Sequence, residues 1–178
     1  MRIITLCREY GAGGHSVGQR VAAELGIDPA LLEAEEEAIT KKDAILRSIT
    51  PISYDQKDAM YGAESDVILK LAAKGPCLIL GRCADAVLRA AGIPSLDVFL
   101  FADEEHRAAR VGELIGNKDE AVIRRTMKKT DQARHAYYHH YTGKTWGDLR
   151  NFHLSLDSGV LGYDTCVRLI CQAARDTE

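Results

Sequence analysis

The alternation of apolar and polar positions along the chain predicts strands and helices in turn. Four short apolar runs, at 2–7, 77–80, 96–101 and 152–156, are typical of strands that are buried on both faces. Between and after these runs, apolar residues recur at the spacing of an amphipathic helix. The predicted helices cover 14–25, 29 to about 47, 63–74, 83 to about 91, 103–114, 119 to about 141 and 162–174, and residues 48–62 are predicted to form a loop.

Strands that are apolar on both faces and alternate with helices indicate a parallel sheet covered by helices on both sides. The predicted fold class is therefore α/β, and a length of 178 residues favours a single domain over 1–178. Ligands of such sheets bind beyond the carboxyl ends of the strands. The loop 8–14 follows the first strand and Gly81-Arg82 follows the second, so we expect both to open onto one crevice.

A glycine-rich loop joins the first strand to the first helix. Alignment with the phosphate-binding P-loop pattern, GxxxxGK followed by Ser or Thr, places Arg8 at the first glycine and Gly14 at the lysine. His15 then occupies the hydroxyl position, and Ser16 follows it. Glycines let backbone N–H groups approach an anion, and a helix start adds partial positive charge. The predicted phosphate-binding residues are Gly11, Gly13, Gly14, His15 and Ser16.

Two other interpretations of this loop stay open. The glycines could serve only the turn between strand and helix. A dinucleotide-binding loop, GxGxxG, would need a glycine where Ser16 stands, although Glu33 to Glu36 lie near the spacing of the acid that binds a ribose. This second alternative would make the chain an NAD-binding protein.

Several arginines follow a predicted strand or share a face of a predicted helix. Arg82 follows the second strand, where its guanidinium suits a phosphate, a pyrimidine edge or a surface salt bridge. Arg107 and Arg110 share one helix face and could point at the same crevice. The longest predicted helix is basic and carries Asp131 and Arg134. Spacing alone favours a solvated face there, in which this pair would contribute about 0.3 kcal/mol.

Composition and charge narrow the classes of function. The hydrophobic content of 46% and charged content of 28% are those of an ordinary soluble globular protein. A net charge of −3 argues against a protein that coats nucleic acid. No apolar stretch approaches the roughly 18 residues of a membrane span, and the chain begins at once with a strand, so we expect no signal peptide. Five scattered cysteines without a CxxC pair favour reduced thiols and hence a cytoplasmic protein.

Four segments of the sequence resemble those of one family. They are the run from Thr5 to Gly14, the segment from Leu80 to Asp85, the segment from Val98 to Ala102 with Arg107, and the block from Asp131 to Asp148. The last block contains Asp-xx-Arg, Tyr-Tyr, Tyr-Thr-Gly and Trp-Gly-Asp in that order. Together the segments are similar to the cytidylate-kinase-like family of bacterial P-loop proteins, which is related to nucleoside monophosphate kinases.

The resemblance implies a three-layer P-loop kinase fold with a central parallel sheet and a helical lid at about 103–143. It also implies phosphoryl transfer from ATP, with Mg²⁺ placed by Ser16, to CMP or a related small acceptor. The acceptor-binding residues that it implies are Arg82, Asp131 and Arg134. The predicted catalytic residues are Arg8, Arg107 and Arg110, with Arg8 in the place of the missing lysine on the ground of its position alone.

Because the P-loop lysine is missing, a function without catalysis also stays open. A kinase fold without turnover would be a non-catalytic nucleotide-binding or sensing module with a degenerate site. Under either function we expect the partners to be a nucleotide and a small molecule, without nucleic acid or a membrane. The sequence leaves the oligomeric state undetermined.

Overall fold

A computed structural model describes residues 3–29 and 54–177 of the chain, with the side chains of 54–57 left out. Its strands are β1 (Ile3–Arg8), β2 (Cys77–Leu80), β3 (Leu96–Phe101) and β4 (Leu154–Asp157). Its helices within the described residues are α1 (Gly14–Leu25), α2 (Tyr54–Lys74), α3 (Ala84–Ala90), α4 (Glu104–Ile115), α5 (Glu120–Thr142) and α6 (Ser158–Asp176), and a short 3₁₀ helix spans Leu149–Asn151.

The described strands form one parallel sheet in the order β2-β1-β3-β4. In the register of this sheet, Ile4 of β1 lies between Leu78 of β2 and Leu96 of β3. All four carboxyl ends therefore meet at the same edge. Arg8 ends β1 there, and the loop that follows it occupies the middle of that edge.

Helices cover both faces of the sheet, which gives the three layers. On one face, alternate strand residues such as Leu6, Leu80 and Leu100 pack with α1 and α6 in a single apolar cluster. On the other face, residues such as Ile79 pack with Ile68 of α2 and the apolar side of α3. Each fully buried side chain of this kind contributes roughly 1.5–3 kcal/mol. The first cluster fixes α1, the helix that begins at the glycine loop, against the strand that precedes it.

The predicted α/β class, the parallel sheet and the bounds of several elements are confirmed. Helix α1 covers the predicted 14–25 and ends at Gly26, whose φ of 63° is the left-handed value of a C-cap glycine. Strands β2 and β3 have the predicted bounds. The side chain of Asp103 caps α4 by accepting a hydrogen bond from the N–H of His106 at 2.8 Å.

Three predictions for secondary structure were wrong in part. Strand β4 spans Leu154–Asp157 and not 152–156, and the exposed Ser155 shows that it is not buried on both faces. Residues 54–62, predicted to lie in a loop, belong to α2. The side chains of 58–60 are exposed, so no apolar stripe marks this turn, although Ala and Met favour helix.

Helix α6 begins four residues before the predicted Gly162, at Ser158, where Asp157 caps it. Gly162, with a φ of 73° and a ψ of 158°, forms a kink, and the part after this kink agrees with the helix predicted at 162–174.

The helix predicted over 29–47 lies outside the described residues, apart from its first position, as do residues 48–53 of the predicted loop. Within the two described stretches, no helix is long and apolar enough to cross a membrane.

Candidate functional site

The loop between β1 and α1 presents backbone N–H groups at the carboxyl edge of the sheet. Gly11 has a φ of 89° and Gly13 a φ of 81°, which glycine adopts without the cost paid by other residues. The first helical hydrogen bond of α1 runs from the N–H of Val17 to the carbonyl of Gly13, at 2.9 Å. The first turn contains no acidic residue, so this helix end is suited to an anion. The N–H groups that precede the first helical bond belong to Gly14, His15 and Ser16.

Gly11 and Gly13 let the loop pack closely against two helices that are distant in the chain. A Cβ atom on Gly11 would lie 2.7 Å from the carbonyl oxygen of Arg107 in α4. A Cβ atom on Gly13 would overlap the ring of Tyr163 in α6. A larger residue at Gly11 would therefore press on the backbone of α4, and one at Gly13 would have to displace the Tyr163 ring. Either residue would also adopt a strained φ.

The loop forms one wall of a small cleft that is partly open to solvent. Eight of the predicted site residues line it, namely Arg8, Gly11, Gly13, Gly14, His15, Ser16, Arg110 and Arg134. The lining also includes Glu9, Tyr10, Leu80 and Leu114. The three other predicted residues, Arg82, Arg107 and Asp131, lie outside the lining.

Arg8 and Arg134 bring a buried and a half-buried positive charge to the cleft. Arg8 is 9% exposed, and burial, followed by the charge of Arg134, lowers the pKa of its guanidinium. Burial also lowers the pKa of Arg134, against the opposing effect of Asp131. Arg134 donates from Nη1 to the carbonyl oxygen of Arg8 at 2.9 Å, and its guanidinium lies 5.7 Å from the ring centre of Tyr10. The charge of Arg134 disfavours that of Arg8, while the carboxylate of Asp131 favours the charged form of both guanidinium groups.

Arg107 and Asp131 form an ion pair beneath the loop. Arg107 Nη1 lies 2.6 Å from Asp131 Oδ2 and donates to the carbonyl of Tyr10 at 3.2 Å. Its Nε donates to the carbonyl of Ala102 at 3.1 Å and lies 3.3 Å from the Glu9 carboxylate. The other oxygen of Asp131 accepts from the N–H of Tyr10 at 2.8 Å. These contacts place both residues as supports of the loop. The catalytic role of Arg107 and the acceptor-binding role of Asp131 stay predictions.

Arg82 points toward α2, at the edge of the site. Its Nη1 forms an ion pair with Glu64, whose other oxygen accepts from the hydroxyl of Tyr137 at 2.6 Å. The backbone of Arg82 is left-handed, with a φ of 59°, and that of Cys83 has a φ of 54°. Two successive non-glycine residues in this region store strain of a kind that is concentrated at functional sites. The ion pair with Glu64 neutralises the guanidinium that was predicted to hold the acceptor.

A buried acid lies between the Arg82 turn and α5. Asp85 is 0% exposed, and its Oδ2 accepts from the hydroxyl of Tyr138 at 2.7 Å. Its Oδ1 is buried without a hydrogen-bond partner among the described residues. Burial raises the pKa of this carboxyl, since the neutral acid loses less hydration than the carboxylate. The pair Asp85–Tyr138 thus connects the start of α3 with the helix that carries Arg134.

Sequence reasoning missed three residues of this region. Glu9 follows β1 directly and lines the cleft, and burial raises the pKa of its carboxyl. Its place next to the loop was a usable signal. Tyr163 and Glu64 reach the site from α6 and α2, and their contacts with Gly13 and Arg82 join segments far apart in the chain. No local pattern could have shown those contacts.

Comparison with known proteins identifies one matching family. The sequence profile of the cytidylate kinase-like family matches residues 30–160, a range that begins after the glycine loop. No curated protein sequence matches the chain.

Solved structures share the fold over almost the whole chain. An uncharacterized protein from Eubacterium ventriosum has a TM-score of 0.79 and 26% identity, and the match covers 98% of this chain and 99% of that one. A gluconokinase from Sinorhizobium meliloti has a TM-score of 0.59 and 17% identity, over 99% and 95%. A shikimate kinase from Acinetobacter baumannii, in complex with shikimate, has a TM-score of 0.58 and 16% identity, over 100% and 95%. The fold of the chain is therefore that of the P-loop kinases, as the resemblance implied.

Proposed function

The chain belongs to the cytidylate kinase-like family, and from this premise we propose that it transfers a phosphoryl group from ATP to CMP or a related small acceptor. A kinase-like fold and this family together indicate a nucleotide-dependent phosphotransferase. The observation that carries the proposal is the cleft, whose lining brings together the start of α1, the buried side chain of Arg8 and the half-buried side chain of Arg134.

The residues of the cleft fit the phosphate groups of a nucleotide. The N–H groups of Gly14, His15 and Ser16 offer fixed donors, and fixed donors lose little energy to reorganisation during transfer. In the described part of the chain, no carboxylate lies within 4.0 Å of the charged nitrogens of Arg134, so an anion would relieve its buried charge. Phosphoryl transfer needs this kind of positioning and charge stabilisation more than a strong base.

Magnesium also fits the residues that are present. The described residues include no group of three His, Cys, Asp or Glu side chains that would hold a metal by protein ligands alone. Mg²⁺ commonly keeps its waters and binds substrate phosphates with one or two protein ligands, and Ser16 lines the cleft as such a ligand. When bound there, the ion would offset charge on the phosphate oxygens.

We assign α4 and α5 to the lid of a single-domain enzyme. Arg110 of α4 lies at the rim of the cleft, where it pairs with Glu113 at 3.0 Å, and it can turn toward a phosphate. Arg107, Glu9 and Asp131 would hold the loop in register with these helices. All five cysteines are buried and free, which agrees with a protein of the reducing cytoplasm, where ATP is present.

A coupled assay of ADP release tests the proposal. Wild-type protein with ATP–Mg²⁺ and millimolar CMP, UMP, AMP, GMP or dCMP should show turnover that depends on the acceptor. Sugars and sugar acids extend the panel to acceptors that carry no phosphate. The variant Arg134→Gln should lose most of the turnover. Absence of turnover with every acceptor would contradict the kinase function.

A second function is favoured by two contacts on the acceptor side. Arg82 is paired with Glu64, and Asp131 with Arg107, so two of the three predicted acceptor-binding residues already have charged partners. A nucleotide-binding or sensing protein without turnover would explain this arrangement. It predicts that ATP or CTP raises the melting temperature while no labelled γ-phosphate reaches any acceptor.

A further inference from the structure

Gly14 is a glycine that its own backbone does not require. It is the first residue of α1 and, unlike Gly11 and Gly13, does not have a left-handed φ. A Cβ atom on Gly14 would lie 2.6 Å from Cγ and 3.0 Å from Cδ of Arg8. Real Cβ atoms essentially never approach another heavy atom within 3.0 Å. The side chain of Arg8 therefore takes the space in which a side chain at position 14 would begin.

These two residues stand at the positions of the first glycine and the lysine of the P-loop pattern. In that pattern the strand ends in a glycine and the helix begins with a cation. Here the strand ends in a cation, Arg8, and the helix begins with a glycine, Gly14. The contact between them shows why the two substitutions belong together, because Arg8 leaves no room for a lysine above it.

We propose that Arg8 is the cation that contacts the donor phosphates, and that Gly14 is its steric complement. This inference rests on the proposed function. Arg8 lines the cleft next to the amides of the loop and is held in place by burial. Its guanidinium offers two parallel N–H donors to phosphate oxygens, whereas a lysine offers a point charge. The loop thus keeps a phosphate-binding cation, supplied from the strand below instead of from the helix.

The exchange predicts a specific pattern among variants. Arg8→Met removes the charge but keeps a long unbranched side chain. Gly14→Lys adds the usual lysine against Arg8 and should fail by steric overlap. Combining Arg8→Gly with Gly14→Lys rebuilds the usual arrangement and should recover binding that neither change alone provides. Arg20→Met is the control for Arg8→Met, because it removes an arginine from an exposed position of α1, the helix that Gly14 begins.

Calorimetric titration with ADP–Mg²⁺ measures the effect, and thermal unfolding shows which variants fold. Arg8→Met should bind ADP about tenfold or more weakly, the usual effect of losing a charge-assisted hydrogen bond. The double variant should bind about tenfold more tightly than folded Gly14→Lys, and Arg20→Met should match the wild type.

The possible results distinguish a failure of this proposal from a failure of the proposed function on which it rests. If the wild type binds no ADP or ATP, the proposed function fails, and the role of Arg8 fails with it. If the wild type binds and folded Arg8→Met binds equally well, only the role of Arg8 is overturned. If Gly14→Lys binds as the wild type does, the steric exchange is overturned. If Gly14→Lys does not fold, Arg8→Met alone decides the role of the arginine, and folding of the double variant decides the exchange.

Discussion

Arg134 donates a hydrogen bond from Nη1 to the carbonyl oxygen of Arg8 at 2.9 Å. This contact ties α5 to the end of β1 at the point where the glycine loop begins. It also holds the half-buried Arg134 against the backbone of the buried Arg8, and burial lowers the pKa of both guanidinium groups. Arg134 therefore has two effects that can be measured apart: its effect on the stability of the free protein and its effect on the binding of a ligand.

The variant Arg134→Gln tests whether stability and ligand affinity change independently. The glutamine amide keeps a donor in the region of the Arg8 carbonyl but removes a buried charge. We expect the melting temperature to stay equal or rise, while the affinity for ADP falls about tenfold or more. Differential scanning fluorimetry and calorimetric titration measure the two quantities. Arg125→Gln, on the exposed side of the same helix, is the control. Unchanged affinity in Arg134→Gln would show that this arginine faces no phosphate.

Gly13→Ala tests how closely the loop fits α6. The φ of 81° costs a non-glycine residue roughly 1–2 kcal/mol, and overlap with Tyr163 adds roughly 1–3 kcal/mol. Gly26→Ala is the matched control, since Gly26 has a φ of 63° with nothing within 4 Å of its Cβ position. In urea denaturation, Gly13→Ala should lose more free energy of unfolding than Gly26→Ala. Adding Tyr163→Ala in a double-mutant cycle should recover that excess. Equal losses at the two glycines would argue against the contact.

Asp85 predicts a pH dependence of stability. Because burial raises the pKa of this carboxyl, the folded protein holds the proton more tightly than the unfolded chain. The stability contributed by that proton is fully present below the unfolded pKa of about 3.9 and is lost as the pH rises through the raised pKa. The free energy of unfolding of the wild type should fall across this window, and Asp85→Asn should lack that part of the fall. Asp164→Asn, at an exposed site, is the control. Identical pH profiles for wild type and Asp85→Asn would refute the buried acid.

Asp131→Asn distinguishes a support of the loop from an acceptor-binding residue. Both oxygens of Asp131 have partners, in Arg107 and in the N–H of Tyr10. Loss of the charge leaves Arg107 less well paired, so the free energy of unfolding should fall by about 2–3 kcal/mol. Binding of ADP should weaken at the same time, because the loop is less well held. A variant of normal stability and normal ADP affinity, altered only toward the acceptor, would favour the role predicted from the resemblance.

The features that the sequence could predict depend on residues close together in the chain. The glycine loop, the start of α1 and its end at Gly26 follow from residues that are neighbours in the chain. The strands at 77–80 and 96–101 are short apolar runs bounded by turns. From these elements alone follow the parallel sheet and the position of the loop at its carboxyl edge. Six of the eight predicted site residues that line the cleft lie on the end of β1, the loop or the start of α1, and they come together for the same reason.

What could not be predicted depends on contacts between distant segments. Arg107 and Arg110 share a face of α4, as their spacing indicated. Ion pairs with Glu9 and Asp131 hold Arg107 beneath the loop, whereas Arg110 lines the cleft.

The side chains of 58–60 are exposed and carry no apolar stripe, so the part of α2 before the predicted 63–74 gave no signal. Glu64 lies within the predicted helix, but its ion pair with Arg82 depends on the packing of distant segments.

The structure of the complex with ADP and Mg²⁺ tests the account most directly. We predict that oxygens of the β-phosphate lie within about 3.2 Å of the backbone nitrogens of Gly14, His15 and Ser16. The guanidinium of Arg8 should contact the same phosphate from the strand side. ADP bound away from this loop, or a phosphate on the loop without contact to Arg8, would contradict the account.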